Sequence, residues 1–150
     1  QEVESAVNHW TNLTKFTFIV DAASPNCTST SDATVQFLWS EITPASIAAR
    51  VDPYQISPFR ECTVSNPCHF AGLARVLMNS NNPGMLADSD FRHIALTHEL
   101  GHVLGQQHPA PTPPCAPPIW TVLYPSYTCL EAFDLHWSRP DDVLFTNIKY

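Results

Sequence analysis

Glycine is scarce in this chain, with 4 in 150 residues, and so is positive charge, with 7 lysines and arginines against 14 acidic residues. The resulting net charge of −7 argues against a nucleic-acid partner, because such proteins draw most of their affinity from clustered Lys and Arg. No run reaches the roughly 20 apolar residues that span a bilayer. The opening from Gln1 has none of the basic and apolar regions of a signal peptide, so the expectation is a soluble, already processed protein without a membrane partner. Methionine occurs only at Met78 and Met85. The 5 cysteines (Cys27, Cys62, Cys68, Cys115, Cys129) form no CxxC pair, which disfavours a thiolate metal cluster and favours disulfides in an oxidising compartment. Cys115 with Cys129 and Cys62 with Cys68 is one pairing, leaving Cys27; other pairings of the five fit equally well.

Proline, by contrast, is abundant at 14 residues. Pro109, Pro111, Pro113, Pro114, Pro117 and Pro118 crowd one segment, which reads as a rigid, extended connection. Two sequons, Asn12-Leu13-Thr14 and Asn26-Cys27-Thr28, would accept glycans on a secretory route and add to the expectation of a secreted, extracellular glycoprotein. The length suits one domain spanning residues 1–150.

Along the chain, alternation of Phe16, Phe18 and Val20 predicts a buried strand. From Asp32 to Ile42 the apolar residues Val35, Leu38, Trp39 and Ile42 recur at three and four, predicting a helix capped by Ser31 or Asp32. Short strands are expected at Ala48–Val51, Arg60–Val64 and Gly72–Met78. A second helix should start at Asp88 or Ser89 and run to about Leu104, where Gly105 is free to take the left-handed conformation that ends helices. After the proline segment, Asp141–Phe145 is the one further helical turn expected.

The informative stretch is His98-Glu99-Leu100-Gly101-His102-Val103-Leu104-Gly105-Gln106-Gln107-His108. On a helix, positions 98 and 102 lie ~40° apart, so two imidazoles project from one face and can share a cation. A chain reversal at Gly105 would bring His108 to the same ion. Three neutral imidazoles leave the fourth position of a tetrahedral zinc open to water, as in catalytic sites. Glu99 stands beside that position, where a carboxylate can take a proton from the bound water and deliver it to a leaving amine. The spacing of Arg92, Glu99 and Gln106 also fits a plain solvated stripe, and His93 is expected at the surface or behind a ligand. His9, His69 and His136 have no partner at ligand spacing.

With its complete HExxHxxGxxH pattern at His98, Glu99, His102, Gly105 and His108, the chain resembles the metzincin clan of zinc metalloendopeptidases, with an astacin-like or matrixin-like approach at Phe91-Arg92-His93-Ile94-Ala95-Leu96. The resemblance implies that the three histidines bind Zn2+ and that Glu99 is the general base and acid of peptide-bond hydrolysis. It also implies an edge strand that binds the substrate backbone, for which Gly72–Met78 is the candidate. The expected fold is α+β and metzincin-like: a small N-terminal twisted sheet with a backing helix, an active-site helix, and an irregular Pro-rich, disulfide-bonded C-terminal part. The sequence departs from the clan twice. Pro109 follows the third histidine where astacins carry glutamate, and no methionine follows His108 to form the turn beneath the zinc. Asp134-Leu135-His136-Trp137 is the expected substitute, with Leu135 as the apolar floor; Tyr124 or Tyr127 would instead approach the zinc or the oxyanion. The predicted activity is that of a secreted, monomeric zinc endopeptidase acting on proteins or peptides. The alternative is a non-proteolytic zinc-binding protein on the same scaffold.

Overall fold

The computed structural model describes residues 1–14, 34–52, 73–104, 106, 108, 123 and 129. They build a mixed α+β arrangement: helix α1 (Glu2–Leu13), strands β1 (Thr34–Ser40), β2 (Ala49–Val51) and β3 (Leu73–Asn79), the short helix α2 (Pro83–Ala87) and the long helix α3 (Ser89–Val103). The strands expected at Phe16–Val20 and Arg60–Val64, the proline segment and the helical turn expected at Asp141–Phe145 lie outside the described residues.

The sheet runs β1-β3-β2, with β1 parallel and β2 antiparallel to β3. The helix expected over Asp32–Ile42 is instead strand β1, paired along its whole length from Thr34↔Leu73 to Ser40↔Asn79. The three-and-four spacing there conceals an alternation of Val35, Phe37 and Trp39. β-Branched and aromatic residues lose rotamer freedom against a helical turn and pack readily on a pleated surface, so the strand wins. Ile42, counted in the expected helix, follows the strand instead: it is buried, and its N–H is held by Asn79 Oδ1 at 3.0 Å. β2 and β3 lie within a residue of their expected positions. However, β3 is flanked by strands on both sides, so the outer strand beside α3 is β2, and the expected substrate-binding role of Gly72–Met78 is corrected accordingly.

Helix α1 went unforeseen, although Val3, Ala6, Val7 and Trp10 make an apolar stripe at helical spacing and Glu2 and Glu4 suit the positive end of its dipole. Its stripe packs on α3, which in turn lies against β2 and β3. The shared core joins Ala6, Val7 and Trp10 to Ala74, Val76 and Met78, to Met85, to Leu96, Leu100, Val103 and Leu104, and to Leu123 from beyond the proline segment. The Trp10 indole Nε1 donates to the Thr97 carbonyl at 3.0 Å, so α1 fixes the middle of α3 by a hydrogen bond as well as by burial. At the start of α3, Arg92 reaches three partners at once: Glu2 Oε1 at 2.7 Å and the Met85 and Leu86 carbonyls at 3.1 and 3.2 Å.

Candidate metal centre

Asp88 caps α3, its Oδ1 accepting from the N–H groups of Asp90 and Phe91 at 2.9 and 3.0 Å, as the sequence led one to expect. From that fixed start the helix delivers His98 and His102 one turn apart near its end. Its last turn is closed by the Gln106 N–H donating to the Gly101 carbonyl at 3.0 Å, the six-to-one bond of a Schellman-type ending. Gly105 lies outside the described residues. The closure leaves His108 against the two helical histidines.

The three Nε2 atoms form a triangle: His98 to His102 is 3.0 Å, His98 to His108 3.0 Å and His102 to His108 3.1 Å. Hydrogen bonding cannot satisfy this triangle. A ring nitrogen is either a donor or an acceptor, never both, so among three mutually facing nitrogens at least one pair must oppose like with like. A cation resolves the conflict by accepting three lone pairs, and a tetrahedral ion with bonds of ~2.0–2.1 Å spaces its ligands by about 3.3 Å, close to the triangle found here. His102 is already in the required tautomer. Its Nδ1 donates to the Gln106 carbonyl at 2.9 Å, which leaves Nε2 with its lone pair toward the other rings.

Burial lowers the His102 pKa against the opposing effect of that carbonyl, and burial followed by the neighbouring His102 lowers that of His108. Both shifts favour the neutral, ligating form. The three imidazoles can hold a metal ion. The donor set suits zinc, copper, iron and nickel alike.

Glu99 is buried at 7% exposure, and Gln106 is buried too, so Arg92, Glu99 and Gln106 are not a solvated stripe. Burial raises the Glu99 carboxyl to about 7, opposed by the backbone N–H of Val51, which donates to it from β2. His93 is not at the surface: it is buried on α3, its carbonyl accepting from the Thr97 hydroxyl at 2.9 Å. His9 sits away from the triad with its ring edge-on to Trp10. Leu135, Trp137, Tyr124, Tyr127, His69, His136 and the cysteines other than Cys129 lie outside the described residues. Cys129 is buried.

Two contacts at the site carry no motif. The Val51 N–H belongs to the backbone of a strand far away in sequence. Leu123 presses on α3 so closely that a Cβ at Gly101 would lie 2.6 Å from its Cδ2, which explains why that helical position carries glycine. A scan against protein-family models and searches of curated proteins and solved structures return no match.

Proposed function

We propose that this chain is a secreted zinc-dependent endopeptidase of the metzincin type. The observation that carries the reading is the triangle of His98, His102 and His108 Nε2 atoms at 3.0–3.1 Å, next in sequence to a buried carboxylate. A zinc ion held there would supply Lewis-acid chemistry, polarising a peptide carbonyl and making a water acidic enough to lose its proton near neutral pH. The three imidazoles orient that chemistry, and Gln106 keeps His102 in its ligating tautomer. Glu99 takes the proton of the attacking water and returns it to the departing amine, a task for which a carboxyl pushed up to about 7 is suited. The sheet supports a polypeptide substrate: β2 is the outer strand beside Glu99, and an extended polypeptide can add by main-chain hydrogen bonds to those outward peptide groups that Glu99 does not take up. No helix among the described residues is long and apolar enough to cross a membrane. Cys129 would be one end of a disulfide that holds the C-terminal part.

The test is elemental analysis of the purified protein followed by cleavage of a denatured protein, with and without chelator. Stoichiometric zinc and chelator-sensitive cleavage are expected. Glu99→Ala should lower kcat by roughly 10²–10⁴-fold while zinc stays bound, the usual loss on removing a general acid-base. Bound zinc without Glu99-dependent cleavage of any peptide would refute the protease reading in favour of a non-catalytic zinc protein.

A further inference from the structure

The edge strand does more than lie beside the site. Ladder bonds from Asn79 N–H to the Ala48 carbonyl (2.9 Å) and from Asp52 N–H to the Arg75 carbonyl (2.8 Å) fix the phase of β2. In an antiparallel pair successive peptide groups face alternately toward and away from the partner. Residues 48, 50 and 52 therefore face β3, and the peptide groups of Ala49 and Val51 face outward, toward α3. The Val51 N–H meets the Glu99 carboxylate there.

The strand reaches this position because the loop before it is pinned. Asn79, wholly buried, accepts from the Ile42 and Asn81 N–H groups at 3.0 and 2.9 Å and donates to the Ile47 carbonyl at 2.7 Å. Asn82 donates to the Ala45 carbonyl at 2.8 Å while its Oδ1 caps α2 through the Met85 N–H at 3.0 Å. Two side chains, Asn79 at the end of β3 and Asn82 at the cap of α2, thus clamp the loop that aims β2.

We infer that the backbone N–H of Val51 is a positioning group for Glu99, holding one face of its carboxylate so that the other is presented to the reacting water, and that Asn79 and Asn82 keep β2 in the place this requires. The kinetic consequence rests on the protease reading above; the contact itself does not. Glu99 is an acceptor on two oxygens, and a carboxylate anchored on one of them loses rotamer freedom that would otherwise have to be lost at each turnover.

Amide hydrogen exchange in the zinc-loaded whole chain tests the contact without any substrate. An outward-facing edge amide exchanges quickly unless something accepts its proton. The Val51 amide should be protected in the parent protein and in Glu99→Gln, which keeps an acceptor oxygen, and should lose protection in Glu99→Ala, while Arg50 is unchanged in all three. Fast exchange of Val51 in the parent, or protection indifferent to Glu99→Ala, overturns the inference. Val51→Pro deletes the N–H and no sheet bond, a change that outer strands tolerate. It should lower kcat about 10- to 100-fold, the worth of one hydrogen bond to a charged group, with KM and zinc content unchanged. A Val51→Pro protein that binds zinc and cleaves at the parent rate overturns the positioning role. Should that variant not fold, the exchange pattern still decides. If the parent binds zinc but cleaves nothing, the protease reading fails alone, and the exchange pattern still tells whether Val51 holds Glu99.

Discussion

The two halves of α3 are built on opposite principles. In the first, from Ser89 to Thr97, the groups that fix the helix in place are paired within the protein: Asp88 caps the free N–H groups, Arg92 spends its guanidinium on Glu2 and two carbonyls, and Trp10 closes on Thr97. In the second, from His98 onward, three nitrogens converge in a pattern that protein hydrogen bonds cannot complete. The first half anchors, and the second is held in a costly arrangement by that anchorage. Satisfied networks are rigid, whereas partly satisfied ones need an outside group to settle them.

The sharpest way to break this comparison is Trp10→Ala. It removes a fully buried aromatic and its hydrogen bond to Thr97 and should cost about 3–5 kcal/mol of stability in a denaturant titration. Zinc affinity per folded molecule should stay near that of the parent; a parallel collapse of affinity would show that the halves are not separable. Zinc itself should act in the other direction. Added at 100-fold over its dissociation constant it should stabilise the fold by about 2.7 kcal/mol, visible as a raised thermal midpoint that disappears in His102→Ala.

Gly101→Ala sits between the halves. The new methyl group meets Leu123 Cδ2 in a buried, packed position, and unfolding should show a loss of about 1–3 kcal/mol. Leu123→Ala should relieve part of that strain in the double variant, giving non-additive losses. The smallest effect is electrostatic. The hydrogen bond from Arg92, together with its charge, holds the Glu2 carboxyl below the ordinary 4.5, so the folded chain favours the charged form. Its contribution is complete above pH 4.5 and declines as pH falls through that value toward the lower folded one. Because the pair is partly exposed, it should amount to under about 1 kcal/mol. Glu2→Gln should flatten the pH dependence of stability in that window while leaving zinc binding alone.

The anchored half and the converging half were not equally legible. The cap, the span of α3 and the three histidines follow from residues close in sequence, where helical periodicity translates spacing directly into direction. β1 was misread because Val35, Leu38, Trp39 and Ile42 satisfy helical spacing while Val35, Phe37 and Trp39 satisfy that of a strand; the deciding term was a long-range pairing with β3. α1 was legible in principle from Val3, Ala6, Val7 and Trp10. The hold of Val51 on Glu99 was not, because a main-chain N–H has the same appearance in every sequence and its direction depends on strand phase. Leu123 was hidden for a related reason: the chain returns to Gly101 from beyond a proline segment whose path local rules do not specify.

The closing bond from Gln106 to Gly101 also fixes a length. A single residue inserted or deleted between His102 and His108 would shift the third imidazole off its two partners, whatever residue was chosen. A change in chain length there should therefore be far more damaging than a change of side chain at Val103 or Leu104.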